Sequence, residues 1–232
     1  MIALGSISEL SSLASSLPAP FLSRADSFGS EKRRESFLAG RALLQMMLRR
    51  KGLADSLPHI ATCPHGKPYF DERQGPFFNI SHSGGIIAVA LSDERTGIDL
   101  EQVKARHNLQ GLEDRELNED EMSFVKEDPA LELERFTALW TLRECLVKVT
   151  GVGLAGLGGI RPVPSRGIAR AEGCPEGIAS CRLYEGLPGA RFPMWLTAFS
   201  GAGEVPAPVW AAPDGFAPMA PAQAAIEFRI NA

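Results

Sequence analysis

Two stretches of the chain carry apolar residues at helical spacing. The first, residues 31–50, contains one glycine and no proline, and its apolar positions include Phe37, Leu44 and Met47. The second, residues 131–149, places its large apolar side chains along one broad face. Because a recurrence every three to four residues is typical of an amphipathic helix, both stretches are predicted to be helices.

Shorter apolar runs between and beyond these predicted helices indicate strands. Residues 97–103 alternate apolar and acidic side chains, which is the pattern of a half-buried strand. Residues 86–91 are apolar throughout, so they fit either a buried strand or a segment of helix. The helices and strands together are compatible with two halves of mixed α and β structure. Further strand candidates lie at 77–80, near 180–184, at 192–199 and at 226–230.

Two segments lack this periodicity. Residues 53–76 are rich in proline and glycine and are predicted to be mostly loop, with a short strand near Tyr69 and Phe70. The Pro- and Ala-rich segment 201–225 is typical of a linker or a loosely held tail.

Composition places the chain among folded globular proteins, since 44% of its residues are hydrophobic and 22% are charged. No apolar stretch approaches the roughly 20 residues that span a bilayer, and the first 22 residues lack the basic start of a secretory signal. The four cysteines form no CxxC pair and no zinc spacing with the histidines. We therefore expect reduced thiols, a cytoplasmic location and no membrane partner.

The net charge of −4 conceals an uneven distribution of charge. Residues 31–51 carry seven basic side chains against two acidic ones, whereas residues 113–134 carry ten acidic side chains against two basic ones. Nucleic-acid binding depends on a broad basic surface, which this distribution does not provide. The basic segment instead predicts a confined anionic ligand.

The segment GIDLE, residues 97–101, places Asp99 and Glu101 on one face of the predicted strand, because side chains at i and i+2 point the same way. Two neighbouring carboxylates repel each other unless a cation or hydrogen-bond donors lie between them. A hard divalent ion would satisfy the pair. The alternative is a solvent-facing strand edge with two ordinary acids, and the alternation by itself favours that alternative.

The second predicted helix carries Trp140, Glu144 and Lys148 at i, i+4 and i+8, on one stripe of its surface. Glu144 could supply a third carboxylate, since Mg²⁺ is usually held by few carboxylates together with substrate phosphates. Lys148, one turn further, could then reach a phosphate oxygen. Considered alone, the helix favours a surface Glu–Lys pair, which is common and weakly stabilising.

The segment FNISHSGG, residues 78–85, predicts a strand that runs into a loop. There Ser81, His82 and Ser83 would offer hydroxyl, imidazole and backbone donors to a phosphate, and the alternative for His82 is a buried core residue. A Ser/His catalytic dyad is disfavoured, because adjacent residues of an extended chain point to opposite sides and no GxSxG segment is present. Lys67, in GKP, is a further candidate phosphate partner or an ordinary loop lysine.

Four segments occur in a characteristic order and spacing: LAGRALL with Arg41, GKP with Lys67, FNISHS followed by GIDLE, and WTLRECLVK. Together they resemble the surfactin-type 4′-phosphopantetheinyl transferases over about residues 31–153. The basic segment is most similar to the bacterial holo-acyl-carrier-protein synthase branch. Arg143 stands where relatives usually have lysine, and Cys145 where alanine is common.

The resemblance implies an α+β fold, a pseudo-dimer of two similar α/β subdomains with the active site in the cleft between them. It divides the chain into residues 1–97, with the coenzyme A nucleotide contacts, and residues 98–232, with the metal site, the catalytic helix and the tail. The implied reaction uses Mg²⁺ and transfers 4′-phosphopantetheine from coenzyme A to a serine of an acyl, peptidyl or aryl carrier protein. Adenosine 3′,5′-bisphosphate would be released, and a monomer is expected.

The resemblance also implies roles for residues at matching positions. Mg²⁺ would be held by Asp99, Glu101 and Glu144. The proton of the attacking serine would pass to Glu144, to Glu121 in the acidic segment NEDEM, or to a bound water. Coenzyme A would be contacted by Lys148 at its pyrophosphate and elsewhere by Arg33, Arg41, Lys67, Ser81 and His82.

Two other functions stay open at this level. An inactive relative would bind coenzyme A or a carrier protein without transfer, although the presence of all three predicted metal carboxylates argues against it. A Mg²⁺-dependent phosphohydrolase would release phosphate from coenzyme A or a nucleotide without an acceptor protein, and no residue pattern favours it.

Overall fold

The structure, a computed structural model, describes residues 1–71 and 76–232. Its α-helices are α1 (Ile7–Ser11), α2 (Ala19–Asp26), α3 (Glu31–Arg50), α4 (Leu109–Glu116), α5 (Glu119–Lys126) and α6 (Glu132–Thr150). Its strands are β1 (Ile2–Ser6), β2 (Ile60–Thr62), β3 (Pro68–Phe70), β4 (Phe77–Ser83), β5 (Ile86–Ser92), β6 (Gly97–Gln102), β7 (Ile160–Val163), β8 (Ile168–Ala171), β9 (Gly177–Tyr184), β10 (Met194–Ser200), β11 (Val209–Ala212), β12 (Gly215–Pro218) and β13 (Ala224–Ile230).

The first sheet has the strand order β12–β11–β1–β5–β4, and neighbouring strands are antiparallel except β1 and β11. Helix α3 covers this sheet because its apolar stripe, with Leu44 and Met47 fully buried, packs in one core cluster with Val89 of β5. At Gly40 the helix lies so close that an added Cβ would be 3.2 Å from Ile80 Cγ2. This close approach brings the basic helix beside β4.

The second sheet has the order β6–β10–β9–β13–β8–β7, with only β13 and β8 parallel among its described neighbours. Helix α6 lies against β6 and β10, and Phe136 and Leu142 of the helix pack with Trp195 of β10 in a second core cluster. An added Cβ at Gly97, the first residue of β6, would overlap the carbonyl oxygen of Cys145. Glycine at this position therefore allows α6 to lie directly on β6.

The two sheets meet where β4 and β6 lie side by side. Side chains of β4 bind the backbone of β6: Asn79 Oδ1 accepts a hydrogen bond from Ile98 N (2.9 Å), and Ser81 Oγ accepts one from Leu100 N (3.3 Å). We call this contact the seam. Because the sheets also share a core, the two halves form one packed unit. That shared cluster includes Leu4, Ile86, Leu100 and Leu196.

Most of the predicted elements are confirmed. The two long helices run from 31 to 50 and from 132 to 150, and the alternating segment is strand β6. The apolar run 86–91 lies in strand β5, which decides between the two alternatives. The α+β fold class is confirmed. In the described part of the chain, no helix combines the length and the apolarity that crossing a bilayer requires.

The prediction of a linker or tail at 201–225 was wrong. Strands β11 and β12 form a hairpin, and β11 pairs with the buried strand β1. The backbone hydrogen bonds to β1 order a segment whose composition suggests little order. The first sheet therefore contains residues from both sides of the boundary predicted between 97 and 98. That division and the similarity of the two halves stay predictions.

Candidate active site at the seam between the sheets

A cavity of about 340 Å³ lies above the seam, against helix α6. We call it the carboxylate cavity. Strand β4, strand β6 and helix α6 each contribute two or more side chains to it, so it exists only because the two halves pack together. Its polar lining residues are Ser81, His82, Asp99, Glu101, Arg106, Glu144 and Lys148.

Asp99 is the most heavily bonded of these acids and is 4% exposed. Its Oδ1 accepts hydrogen bonds from Ser81 Oγ (2.7 Å) and from Lys148 Nζ (2.5 Å). Its Oδ2 is buried and has no hydrogen-bond partner among the described residues. A buried carboxylate oxygen without a donor is costly, so this atom has the character of a ligand position.

The period-two pattern of β4 explains how the acids are held. Asn79, Ser81 and Ser83 alternate along the strand and all reach β6, because Ser83 Oγ donates to Glu101 Oε2 at 3.0 Å. Ser81 also accepts from Lys148 Nζ (3.0 Å), so its hydroxyl is fully used inside the protein. Ser81 therefore positions Asp99 and Lys148.

The acids of this cavity carry more negative charge than the nearby cations neutralise. Burial and the charge of Asp99 raise the pKa of Glu144, although Lys148 opposes this effect. Burial and Asp99 likewise raise the pKa of Glu101, against the effects of the Ser83 hydrogen bond and the charge of Arg106. An added cation would relieve this repulsion.

The donor set fits Mg²⁺, which prefers oxygen ligands. Carboxylates of Asp99, Glu101 and Glu144 line the same cavity, and Asp99 has an oxygen, Oδ2, without a hydrogen-bond partner among the described residues. The described residues hold no three acidic, histidine or cysteine side chains already gathered at metal-binding distances. The three carboxylates thus line a shared space without meeting at one point. Lys148 forms a salt bridge with Oδ1 of Asp99.

A second cavity, of about 240 Å³, adjoins the C-terminal end of α6. Lys67 and Lys148 both line it, so Lys148 connects it with the carboxylate cavity. Lys67 Nζ donates to the carbonyl oxygen of Val149 at 3.1 Å. Burial, and then the charge of Arg95, lowers the pKa of Lys67. The structure therefore holds this ammonium group at a partly desolvated site beside Lys148.

A third cavity, of about 220 Å³, lies between α3 and β4 and contains Arg33, Arg41 and His82. The Arg41 guanidinium carbon lies 4.7 Å from the ring centroid of Phe37, and that of Arg33 lies 4.9 Å from the ring of Phe28. Burial lowers the pKa of Arg41 to about 10, and its buried Nε has no partner among the described residues. Like Asp99 Oδ2, this atom has the character of a ligand contact.

His82 lines both the carboxylate cavity and the third cavity. Burial, followed by the charges of Lys148 and Lys32, lowers its pKa. Although the walls of the two cavities partly desolvate the imidazole, more than a third of the residue's surface is exposed, so His82 is not a satisfied core histidine. It therefore stands between the acidic and the basic parts of the site.

Glu121 does not line the carboxylate cavity. Its Oε2 accepts from Arg143 Nη2 (2.6 Å) and its Oε1 from Arg143 Nε (3.1 Å), and it also caps helix α5 through Asn118. The Glu121 and Arg143 side chains are 0% and 3% exposed. Both Glu121 oxygens are therefore occupied in a buried ion pair, and a role for Glu121 as a proton acceptor stays a prediction that this pairing does not favour.

Some residues of the site were not predicted. Arg106 follows β6 in a loop without periodicity and lines the carboxylate cavity. No role was predicted for Asn79, and Ser83 was predicted to offer a donor to a phosphate, whereas its hydroxyl donates to Glu101. Their signal was the alternation N-x-S-x-S, which places all three polar side chains on one face of a strand.

Comparison with known proteins agrees with this arrangement. Residues 95–175, which include β6 and α6, match the family model of the 4′-phosphopantetheinyl transferase superfamily. The chain is 40% identical over 154 residues to the 4′-phosphopantetheinyl transferase AcpT of Escherichia coli strain K12, covering 65% of this chain and 72% of that protein. AcpT of Salmonella typhi is 36% identical over 152 residues, covering 65% and 73%. The 4′-phosphopantetheinyl transferase HetI of a Nostoc species is 31% identical over 156 residues, covering 65% and 66%.

Proposed function

This chain belongs to the 4′-phosphopantetheinyl transferase superfamily, and we propose that it is a Mg²⁺-dependent transferase of the holo-acyl-carrier-protein synthase type. It moves 4′-phosphopantetheine from coenzyme A to a serine of an apo carrier protein and releases adenosine 3′,5′-bisphosphate. The observation that carries the proposal is the continuity of the site: three carboxylates in one cavity, connected through Lys148 and His82 to cavities lined by cations.

The cationic cavities suit the nucleotide part of coenzyme A. The 3′-phosphate end of the nucleotide binds in the third cavity, to Arg41, Arg33 and His82. The other phosphates of coenzyme A are contacted from the second cavity, by Lys67 and Lys148. The partly desolvated state of Arg41 and Lys67 supports this assignment. A desolvated cation gains more from a phosphate partner than a fully hydrated one does.

The carboxylate cavity suits a divalent ion. Asp99, Glu101 and Glu144 would hold Mg²⁺, and the unpartnered Oδ2 of Asp99 is the atom that supports this most directly. When bound, the ion supplies charge neutralisation for the pyrophosphate. Lys148 remains hydrogen-bonded to Asp99 and Ser81, which keeps its ammonium group at the border of two cavities.

The transfer step is a substitution at phosphorus. A bond forms between the serine Oγ and the phosphorus that bears pantetheine, and the bond from that phosphorus to the oxygen bridging it to the adenosine phosphate breaks. The bonding electrons leave with adenosine 3′,5′-bisphosphate. Glu144, which faces the cavity, accepts the serine proton directly or through a water molecule.

The acceptor is an acyl, peptidyl or aryl carrier protein, and the protein acts as a monomer in the cytoplasm, without a nucleic-acid or membrane partner. The cytoplasmic location rests on the cysteines: Cys63, Cys145, Cys174 and Cys181 are all free thiols, and three of them are buried.

Transfer to purified apo carrier proteins tests the proposal. The protein is incubated with coenzyme A and apo-acyl, apo-peptidyl or apo-aryl carriers, with Mg²⁺ or with EDTA, and intact mass spectrometry detects addition of the phosphopantetheine group. We expect modification in Mg²⁺ and none in EDTA. Binding of coenzyme A without transfer to any carrier would indicate a binding-only relative. Release of inorganic phosphate without an acceptor would indicate a phosphohydrolase.

A further inference from the structure

Arg106 occupies an unusual position for a loop residue. It follows strand β6 and is half-buried, and its guanidinium carbon lies 5.4 Å from the ring centroid of Phe136 and 5.9 Å from that of Trp140. Both rings belong to α6. Stacking on aromatic rings restricts the plane of a guanidinium group and leaves its N–H donors at the edge free to bind.

Arg106 belongs to the lining of the carboxylate cavity. It shares this lining with Glu101 and Glu144, and its buried Nε has no hydrogen-bond partner among the described residues. Its charge stabilises the ionised form of Glu101, which places the two groups near each other, yet the described structure contains no salt bridge between them. The cation is therefore held beside the acids without being neutralised by them.

Arg106 and Lys148 flank Glu144 from opposite sides along the helix. Arg106 stacks on Trp140, one turn before Glu144, whereas Lys148 lies one turn after it. Four residues of helix correspond to about 6 Å of axial rise, so the two cations stand on either side of the acids. Lys148 also lines the cavity of Lys67, but Arg106 lines neither that cavity nor the cavity of Arg41.

This order along the site assigns different phosphates to the two cations. Lys148 is shared with the cavity of Lys67, whereas Arg106 lines the carboxylate cavity but neither of the two cavities that suit the nucleotide. We propose, as an inference that rests on the proposed function, that Arg106 binds the phosphoryl group that carries pantetheine, which is the group transferred. A planar guanidinium can donate two parallel hydrogen bonds to phosphate oxygens.

The role requires no proton from Arg106. During transfer the phosphorus forms its bond to the serine oxygen and loses its bond to the oxygen of the departing adenosine bisphosphate. Arg106 keeps its proton throughout and follows the phosphoryl oxygens from coenzyme A to the product carrier. It is therefore a binding residue for both the substrate and the transition state.

The test compares two ligands that differ in this phosphoryl group. Isothermal titration calorimetry in Mg²⁺ measures the affinity of coenzyme A and of adenosine 3′,5′-bisphosphate, which lacks the pantetheine-bearing phosphate. We expect Arg106→Gln to weaken coenzyme A by about 10- to 100-fold, the equivalent of a charge-assisted hydrogen bond. Affinity for the bisphosphate should change by less than about twofold, since this ligand lacks the phosphate that Arg106 is proposed to bind.

Two further variants complete the experiment. Arg106→Lys keeps the charge but loses the stacked fork, so it should regain part of the coenzyme A affinity. Arg50→Gln is the matched control, because Arg50 also lies over an aromatic ring, that of Phe216 at 4.9 Å, but outside the three cavities. We expect Arg50→Gln to bind both ligands as the wild type does. Retained bisphosphate binding shows that a variant is folded, and Arg106→Lys replaces Arg106→Gln if the latter does not fold.

Three outcomes would overturn the inference. Arg106→Gln could bind coenzyme A with wild-type affinity, or lose affinity for both ligands equally. It could also keep its coenzyme A affinity while the KM for the carrier protein rises, which would assign Arg106 to the carrier. Wild-type protein that binds no coenzyme A would instead contradict the proposed function, so the two failures are distinguishable.

Discussion

Two regions with buried acids lie against different faces of helix α6, and the consecutive residues Arg143 and Glu144 contribute one to each. On one side, Arg143 meets Glu121 in a buried pair in which both carboxylate oxygens have donors. On the other side, Glu144 faces the carboxylate cavity, where Asp99 keeps an oxygen without a partner. The same helix therefore carries one satisfied and one unsatisfied acidic region.

The difference separates a structural role from a functional one. A buried ion pair whose donors and acceptors all match has no remaining capacity for a ligand. In a group of acids that raise each other's pKa, the ionised carboxylates repel one another. A bound cation relieves this repulsion. Burial alone does not distinguish the two regions, because each contains a buried acid, Glu121 in one and Asp99 in the other. The state of the individual oxygen atoms does.

The largest effect is expected from Asp99→Asn. Asparagine keeps the Oδ1 acceptor for Ser81 and Lys148 but replaces the unpartnered Oδ2 with an amide that cannot bind a cation. We expect transfer to fall by about a thousandfold, the scale of losing a principal electrostatic contact in an active site. The rate of carrier modification measured by mass spectrometry checks this.

Asp93→Asn is the matched control for this variant. Asp93 is exposed in the turn just before β6, so the same chemical change there should leave the rate unaltered. The thermal unfolding midpoint of Asp99→Asn should stay close to that of the wild type. Near-normal turnover of Asp99→Asn would remove the metal assignment.

Removing the Glu121–Arg143 ion pair should lower the stability of the protein and leave the rate of transfer unchanged. Glu121→Gln leaves Arg143 buried without a counter-charge, which lowers the free energy of unfolding by about 3–5 kcal/mol. Urea denaturation measures this loss, with Glu119→Gln on the exposed side of α5 as the control. Transfer per folded molecule should remain near the wild-type rate. A Glu121→Gln protein that is as stable as the wild type but inactive would restore a catalytic role for Glu121.

Arg41 is a cation with a buried donor atom that lacks a partner, as Asp99 is an acid with a buried oxygen that lacks one. Arg41→Gln removes a desolvated guanidinium from the third cavity, so coenzyme A affinity should fall by about tenfold, the lower end of the range for a charged hydrogen bond. Dephospho-coenzyme A, which lacks the 3′-phosphate, should bind the variant and the wild type equally. Calorimetry with both ligands measures this, and an equal loss for both would show that Arg41 contacts another part of the nucleotide.

The smallest effect concerns the pH dependence of stability without metal. The folded state raises the pKa of Glu144 above its ordinary value of 4.5. Between these two pKa values the native state binds more protons than the unfolded state, so the free energy of unfolding falls as pH rises through this window. Glu144→Gln removes the group, and its unfolding free energy should fall less steeply with pH than that of the wild type.

Denaturation in EDTA at several pH values above 4.5 compares the two slopes. Adding Mg²⁺ should stabilise the wild type more than Glu144→Gln, since a ligand that binds only the native state raises its stability. Identical slopes in EDTA would show that Glu144 is not in an unfavourable ionised state.

Local periodicity was sufficient for the elements that carry the chemistry. Helices α3 and α6 and strand β6 follow directly from apolar spacing, and GIDLE correctly placed Asp99 and Glu101 on one strand. Strand β1 was not predicted because it is buried along its whole length and shows no alternation. The β11–β12 hairpin was missed since its order depends on pairing with β1, which lies some 200 residues earlier in the chain.

The amino-acid sequence by itself determined which side chains share a face: Asp99 with Glu101 on a strand, and Trp140, Glu144 and Lys148 on a helix. These relations follow from backbone geometry within a few residues, which the chain carries locally. The tertiary structure alone decided that the two faces meet, because that depends on the close contact of α6 with β6 at Gly97. It also decided that Glu121 turns to Arg143, since packing between distant segments selects the partner of a buried charge and no local pattern records it.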